Sequence, residues 1–316
     1  MNSRAAAETD NLDYLKQSLS GFRMLKLAFA LSPMDRIYLG DDDMKGDRWR
    51  GGIGAKVLWD MGCEDEGEDC KHCEKKESCI YFKCFGNNEG RIPPRPYVLH
   101  PALDMKSAYI RGEKFQLDLF LIGNAANQIY RFIKVIERLG MQGIGGGRGK
   151  FFVVDVTTSE IEFSRMSNEK AKSREHLLEL LTPVKIKEKG AGLYYKGLSF
   201  EKFFKLLIKR VLNLNNLYCD GILFDKEQIE HIKSCLISLA QQIRMESHTE
   251  WNDYERNSSR QRKSIKMGGQ VGIFITSGNL DPFYPYLKLG EIIGVGQHTT
   301  SGFGRYKIIE NTAREM

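Results

Sequence analysis

The sequence predicts an α+β protein built of two tandem ferredoxin-like (RRM-like) domains with glycine-rich loops, plus a cysteine-rich insertion in the N-terminal half. Three observations predict it. One order of elements occurs twice, about half a chain apart. Each copy ends in a glycine-rich loop that opens into a strand led by a cation and an aromatic. And 316 residues are long for one compact domain, yet enough to give each of two its own core.

The first copy begins with the apolar strand MLKLAFAL at 24–31 and a helix read over RWRGGIGAKVLWDMG at 48–62. KFQLDLFLIGN, 114–124, reads as a further strand. The next segment, 125–139, carries Ile129, Phe132, Ile133, Ile136 and Leu139 at helical spacing, with Gly140 as its expected C-cap. MQGIGGGRG follows, and then the strand KFFVVDV. In the second copy TPVKIK at 182–187 is the first strand and 198–218 the first helix, with a further helix at 225–242 read as an insertion. GGQVGIFITSGN, the proline-interrupted LDPFYPYLKLG, the loop GVGQHTTSGFG and the strand RYKII complete it. Each copy thus reads strand, helix, strand, strand, helix, strand, the ferredoxin-like order. The expected domains are 21–180, carrying the cysteine-rich insertion at 63–84, and 181–310, carrying the second glycine-rich loop.

The composition, 41% hydrophobic and 28% charged, is that of an ordinary globular protein, and no apolar run approaches the ~18 residues of a membrane span. The N-terminus has no apolar stretch after a basic one, so a secretory signal is not read and a cytoplasmic location is expected. The formal charge of +6 matters because it clusters. RNSSRQRKSIK, 256–266, holds Arg256, Arg260, Arg262, Lys263 and Lys266 without an acid, as a phosphate-tracking surface would; a solvated face is the plain alternative.

Five of seven cysteines lie between Cys63 and Cys84. In a reducing compartment such density points to metal ligation before disulfides. Cys63, Cys70, Cys73 and Cys79 could supply four thiolates to a structural Zn2+; free cysteines in an acidic insertion are the alternative, with Cys84 placed on a strand. A closed four-thiolate site has no open position for a water, so no cofactor is expected in catalysis.

The glycine loops fit neither nucleotide fingerprint. In GIGGGRG Arg148 stands where a dinucleotide motif needs its third glycine, and Phe151 stands where a Walker loop needs Ser or Thr. What remains is a backbone of unusual dihedrals beside cations, suited to cradling phosphates or to close packing between domains. Arg148 on the first loop, and Gly294, Gly296, Thr299, Gly302, Gly304 and Arg305 on the second, are the expected RNA contacts, because the hydroxyls and His298 of the second loop suit RNA.

The segment 251–306 resembles the C-terminal region of the CRISPR repeat-processing endoribonucleases of the RAMP superfamily. GVGQHTTSGFGRY matches that family's glycine-rich signature, and Asp253, Arg256, Ser258, Arg260 and Gln261 match the stretch before it. WRGGIGAKVL, the cysteines and RPYVLHP carry a weaker resemblance in the first half. The resemblance implies tandem ferredoxin-like domains, binding of a CRISPR repeat RNA and metal-independent cleavage by the 2′-hydroxyl to yield guide RNA. It also implies an effector complex that receives the product, and leaves open a homodimer. Such cleavage needs a proton acceptor, a proton donor and cations. Many members are expected to carry a histidine near the first helix, yet residues 32–60 hold none. His298 is therefore the expected acid–base residue, with Tyr38 and Arg50 as helpers. The rival readings are a RAMP subunit that binds guide RNA without cutting it, which the missing helix histidine favours, and a zinc-dependent nucleic-acid regulator, which the acids at 64–69 oppose.

Overall fold

The computed structural model describes residues 19–54, 58, 70, 72–86, 93–186, 198–220, 225–253, 255–258 and 263–310. Alternation in RMLKLAFALSP makes β1 (Arg23–Pro33) a strand with Leu27, Phe29 and Leu31 buried on one face. Then come β2 (Ile37–Tyr38), α1 (Asp42–Gly52), α2 (Ile80–Phe85), β3 (Tyr97–Pro101), β4 (Ala108–Tyr109), β5 (Phe115–Ile122), α3 (Ile129–Gln142) and β6 (Phe151–Glu162). A short α4 (Phe163–Met166) leads to β7 (Glu175–Val184), α5 (Phe200–Tyr218), α6 (Lys226–Ala240), β8 (Arg244–Asn252), β9 (Glu255–Ser258), β10 (Lys263–Lys266), β11 (Gly269–Ser277), α7 (Tyr284–Ile293) and β12 (Tyr306–Glu310).

Two four-stranded sheets form, in the orders β3-β5-β1-β6 and β12-β7-β11-β8, and every pairing in them is antiparallel. β9 and β10 form a separate two-stranded arm between β8 and β11. β2 and β4 make another small sheet.

Several expected boundaries move, each for a local reason. α1 starts at Asp42 rather than 48, with acids at Asp42 and Asp43 in its first turn, where the helix dipole favours them. α3 continues through Gly140 to Gln142 and is capped by Gly143 at φ 85, an angle that glycine adopts without strain. Gly140 instead lets the helix approach the Phe151 carbonyl, which a β-carbon would meet at 2.4 Å. The strand expected at 182–187 runs from Glu175 to Val184, pairing with β11 over Glu175–Leu180 and again at Val184, and with β12 over His176–Leu180. The expected break between 180 and 181 therefore falls inside a strand of the second sheet. Cys84 lies in helix α2, not on a strand, because the carbonyls ending that helix are taken by the Arg95 guanidinium: Nη1 donates to Phe82 (3.4 Å) and Lys83 (3.2 Å), and Nη2 to Gly86.

The packing explains how the halves join. Leu27, Phe29, Leu31, Leu117, Leu119 and Leu121 cover one face of the first sheet and meet Trp49 of α1 and Phe132, Val135 and Ile136 of α3. The alternate residues Met24, Val98, Phe120 and Ile122 belong to the second core, with Phe203, Phe204, Leu207 and Phe274. One sheet thus buries both faces, its own helices on one side and the C-terminal half on the other. Burying each such side chain is worth roughly 1.5–3 kcal/mol.

Candidate functional site

Polar contacts tie the two halves along the end of β3. His100 Nε2 lies 2.9 Å from the Ile292 carbonyl, and Arg305 Nη1 donates to the Pro101 carbonyl at 3.1 Å. Tyr218 Oη donates to the Pro94 carbonyl (2.9 Å), and Asn252 Nδ2 to Asp43 Oδ2 (2.6 Å). Burial, with the Arg305 cation adding to it, holds His100 well below its usual value, so it is neutral in the fold. Burial likewise lowers Arg305, to about 10.

The second glycine loop sits in this junction. Its glycines at 294, 296, 302 and 304 all have positive φ, between 72° and 88°. A β-carbon on Gly302 would lie 2.7 Å from the Leu99 carbonyl oxygen, and one on Gly296 would lie 2.5 Å from that of Lys185. On the other side, a β-carbon on Gly46 of α1 would lie 1.6 Å from the Ser301 carbonyl oxygen. Close packing between the halves therefore accounts for Gly302, while Gly294, Gly296 and Gly304 pack within the C-terminal half, against Phe303, Lys185 and Val295; Thr299, Gly302 and Gly304 are buried. Arg305, expected as a phosphate contact, donates one hydrogen bond, from Nη1, to the Pro101 carbonyl.

His298 precedes the turn Thr299–Ser301 in a left-handed conformation, φ 60, and its carbonyl accepts from the amides of Ser301 (2.8 Å) and Phe303 (3.4 Å). Its half-buried ring stands edge-on to Phe303 at 6.0 Å. Arg50, one helical turn beyond Gly46, lies over the Phe85 ring at 5.5 Å. The Tyr97 hydroxyl is buried beside Arg50 and Thr300; burial pushes it up to about 12, with the Arg50 cation opposing the shift. The turn that follows His298 and the face of α1 that carries Arg50 thus share one junction. The sequence reading missed the parts Gly46, Phe85 and Tyr97 play there. Only Gly46 left a signal, as a glycine inside a helix with a packing reason.

Tyr38 stands elsewhere. It precedes the N-terminus of α1, whereas Arg50 lies eight residues into that helix, about 12 Å along its axis. Its carbonyl accepts from the Gly146 amide (3.1 Å), which puts Tyr38 beside the first glycine loop and Arg148. Between these ends, Lys45 is fully buried, with Nζ 2.6 Å from Asp42 and 2.5 Å from Asp104. Burial would lower Lys45, but those hydrogen bonds outweigh it and hold it above its usual value.

Of the basic stretch, Arg256 lies on β9 and Lys263 on β10, while Arg260 and Arg262 fall outside the described residues, so the arm's backbone is placed but not its cationic face. Among the described residues no group of three or more His, Cys, Asp or Glu is placed to hold a metal ion. Cys70, Cys73 and Cys79 therefore do not form the expected thiolate set by themselves, and Cys63 lies outside the described residues. Cys70 and Cys79 pack instead against the first core. His176 is fully buried on β7. No described helix is long and apolar enough to cross a membrane.

Residues 178–306 match the family model of the CRISPR-associated endoribonuclease Cas6, and residues 22–177 match a model described as an N-terminal domain. No curated protein gives a significant match. Among solved structures, a Cas6 product complex aligns with TM-score 0.56 at 12% identity, covering 90% of this chain and 99% of that one. Thermus thermophilus Cas6 aligns with TM-score 0.54 at 10% identity, over 91% of this chain and 99% of that one. A partial Cas6-RT-Cas1–Cas2 complex aligns with TM-score 0.54 at 13% identity, over 93% and 47%. Such low identities speak for the fold alone, and the family model speaks for the C-terminal half with its loop signature. Residues 178–306 thus carry a domain of the CRISPR-associated endoribonuclease Cas6 family, and the solved Cas6 structures share the fold of nearly the whole chain.

Proposed function

We propose that this protein holds a CRISPR repeat RNA on two ferredoxin-like halves and cleaves it without a metal ion. The 2′-oxygen attacks the adjacent phosphorus, the bond to the 5′-oxygen breaks, and a cyclic phosphate and a 5′-hydroxyl result. One group must take the 2′-hydroxyl proton and one must protonate the leaving 5′-oxygen. His298 is the residue we assign to this proton transfer, and Arg50 is the cation we assign to the pentavalent phosphate. The observation that carries the reading is the seating of the Thr299–Ser301 turn on α1, which brings the family's loop signature to the helix that bears Arg50. The basic arm at 256–266 supplies phosphate contacts, and an effector complex is the expected recipient of the product.

An end-labelled RNA of the CRISPR repeat neighbouring the gene, incubated with the protein in EDTA, tests this. Single-site cleavage that a 2′-deoxy substitution at the cut abolishes, and that His298→Ala slows roughly 10²- to 10⁴-fold, is the expected result. Tight binding without cleavage would leave a guide-RNA binding subunit, the reading that the absence of a histidine from 32–60 favours.

A further inference from the structure

The first glycine loop builds a surface that the cleavage site does not use. Tyr38 is the middle of a row across three short segments: Ala108 of β4 lies opposite it on one side and Gly146 on the other. Directly opposed residues of antiparallel strands share a face, so the aromatic has a methyl group and a hydrogen as its lateral neighbours. Its side of the sheet is open, and Tyr38 is 44% exposed. A β-carbon at Gly146 would meet only Tyr38 Cδ1, at 3.4 Å, and Gly146 has no positive φ, so neither space nor backbone demands a glycine there. What the glycine does is leave the ring uncovered.

Charge surrounds the ring on the same lobe. A β-carbon on Gly149 would lie 2.4 Å from the Arg36 carbonyl oxygen, which sets Arg148 close to Arg36. Both arginines are exposed, and Arg148 is held at φ 52 in the turn that its amide closes onto Gly145 (3.3 Å). The acids of the neighbouring loop are already engaged: Asp104 by Lys45 and Tyr109, and Glu113 by Lys106. Arg36, Arg111 and Arg148 have no ion-pair partner among the described residues; with the exposed Asp35 and Asp41 on the Tyr38 segment, three free guanidinium groups stand against two carboxylates on this lobe.

An uncovered aromatic on a sheet with small lateral neighbours and flanking guanidinium groups fits a base stacked on the ring and its phosphate on the cations. Paired bases are already stacked and cannot reach it. We propose that the row Gly146–Tyr38–Ala108, with Arg36 and Arg148, is a stacking site for one unpaired nucleotide of the bound RNA, distinct from the His298–Arg50 junction. The proposal rests on the reading of the protein as a repeat-RNA enzyme.

Filter binding with the repeat RNA and with a fully paired duplex of the same sequence tests it, alongside the cleavage assay. Tyr38→Ala is expected to weaken binding of the repeat about 5- to 150-fold, Tyr38→Phe to leave it nearly unchanged, and duplex affinity to stay constant. Gly146→Leu, which covers the ring without straining the backbone, should act like Tyr38→Ala while melting as the wild type does. Replacing both Arg36 and Arg148 by Gln should reduce the slope of log K against log salt by roughly 1.4, about 0.7 for each cation on a single strand. Repeat binding unchanged in Tyr38→Ala and Gly146→Leu overturns the site. Tyr38→Ala that binds normally but no longer cuts overturns it too, and returns Tyr38 to the chemistry. A wild-type protein that neither binds nor cuts the repeat would instead defeat the functional reading beneath it.

Discussion

Gly46 and Ser301 are in backbone contact across the two halves: no β-carbon fits on Gly46, because it would stand 1.6 Å from the Ser301 carbonyl oxygen. Gly46→Ala must push the Thr299–Ser301 turn away from α1 or break the helix contact. We expect a loss of about 1–3 kcal/mol of stability, read by urea unfolding, together with a fall in cleavage larger than any fall in repeat affinity. Unchanged unfolding would show that the two halves do not close on each other at this point.

His100 makes the closure depend on pH. Burial and the nearby cations Arg305 and Lys26 depress its folded value, whereas the unfolded chain takes up a proton near pH 6.5. Below that pH the unfolded state therefore binds more protons, so stability is full above about pH 6.5 and falls as pH drops, by up to about 1.4 kcal/mol per pH unit from this group. Urea unfolding at pH 7.5 and 5.5 checks the sign. His100→Gln, whose amide can still donate to the Ile292 carbonyl, should flatten the dependence. His176, lowered by its burial, adds in the same direction and should keep its own part.

Arg95 closes α2 onto β3. Arg95→Met leaves the Lys83 and Gly86 carbonyls without the Arg95 donor and the Phe82 carbonyl with the Gly86 amide alone, at a cost of roughly 2–4 kcal/mol for hydrogen bonds to a charged group. Because α2 carries the ring under Arg50, the same variant should slow cleavage and expose residues 70–86 to limited proteolysis. Protease resistance equal to wild type would mean that the aromatic contacts of Tyr81 and Phe85 hold the helix by themselves.

Lys45 ties α1 to the loop after β3. Lys45→Met strands Asp42 and Asp104, which keep some contact with water (22% and 35% exposed), so the cost should be about 2–3 kcal/mol, below that of a fully buried pair. Asp104→Asn should cost less, because the Asp42 carboxylate and the Ala102 carbonyl remain to Lys45. Chemical denaturation of the two variants compares them directly.

The order of the elements was legible because hydrophobic period is local: RMLKLAFALSP alternates as a strand must, and Phe132, Ile136 and Leu139 recur as a helix must. The loop signature GVGQHTTSGFGRY was legible for the same reason, since glycine marks backbone that must turn left or pack closely wherever it finally lies. What a glycine or cation faces is set by the folded chain: Gly302 meets Leu99 and Arg305 meets Pro101, each from the other half. Cys84 likewise reads as a strand residue until Arg95 caps the helix it occupies. The sequence by itself determined the order of strands and helices and the loop signature within 178–306, which rest on spacing along the chain. Only the tertiary structure decided that Arg50 joins the His298 loop while Tyr38 joins Arg148, because α1 runs between the two loops and its length keeps its ends apart.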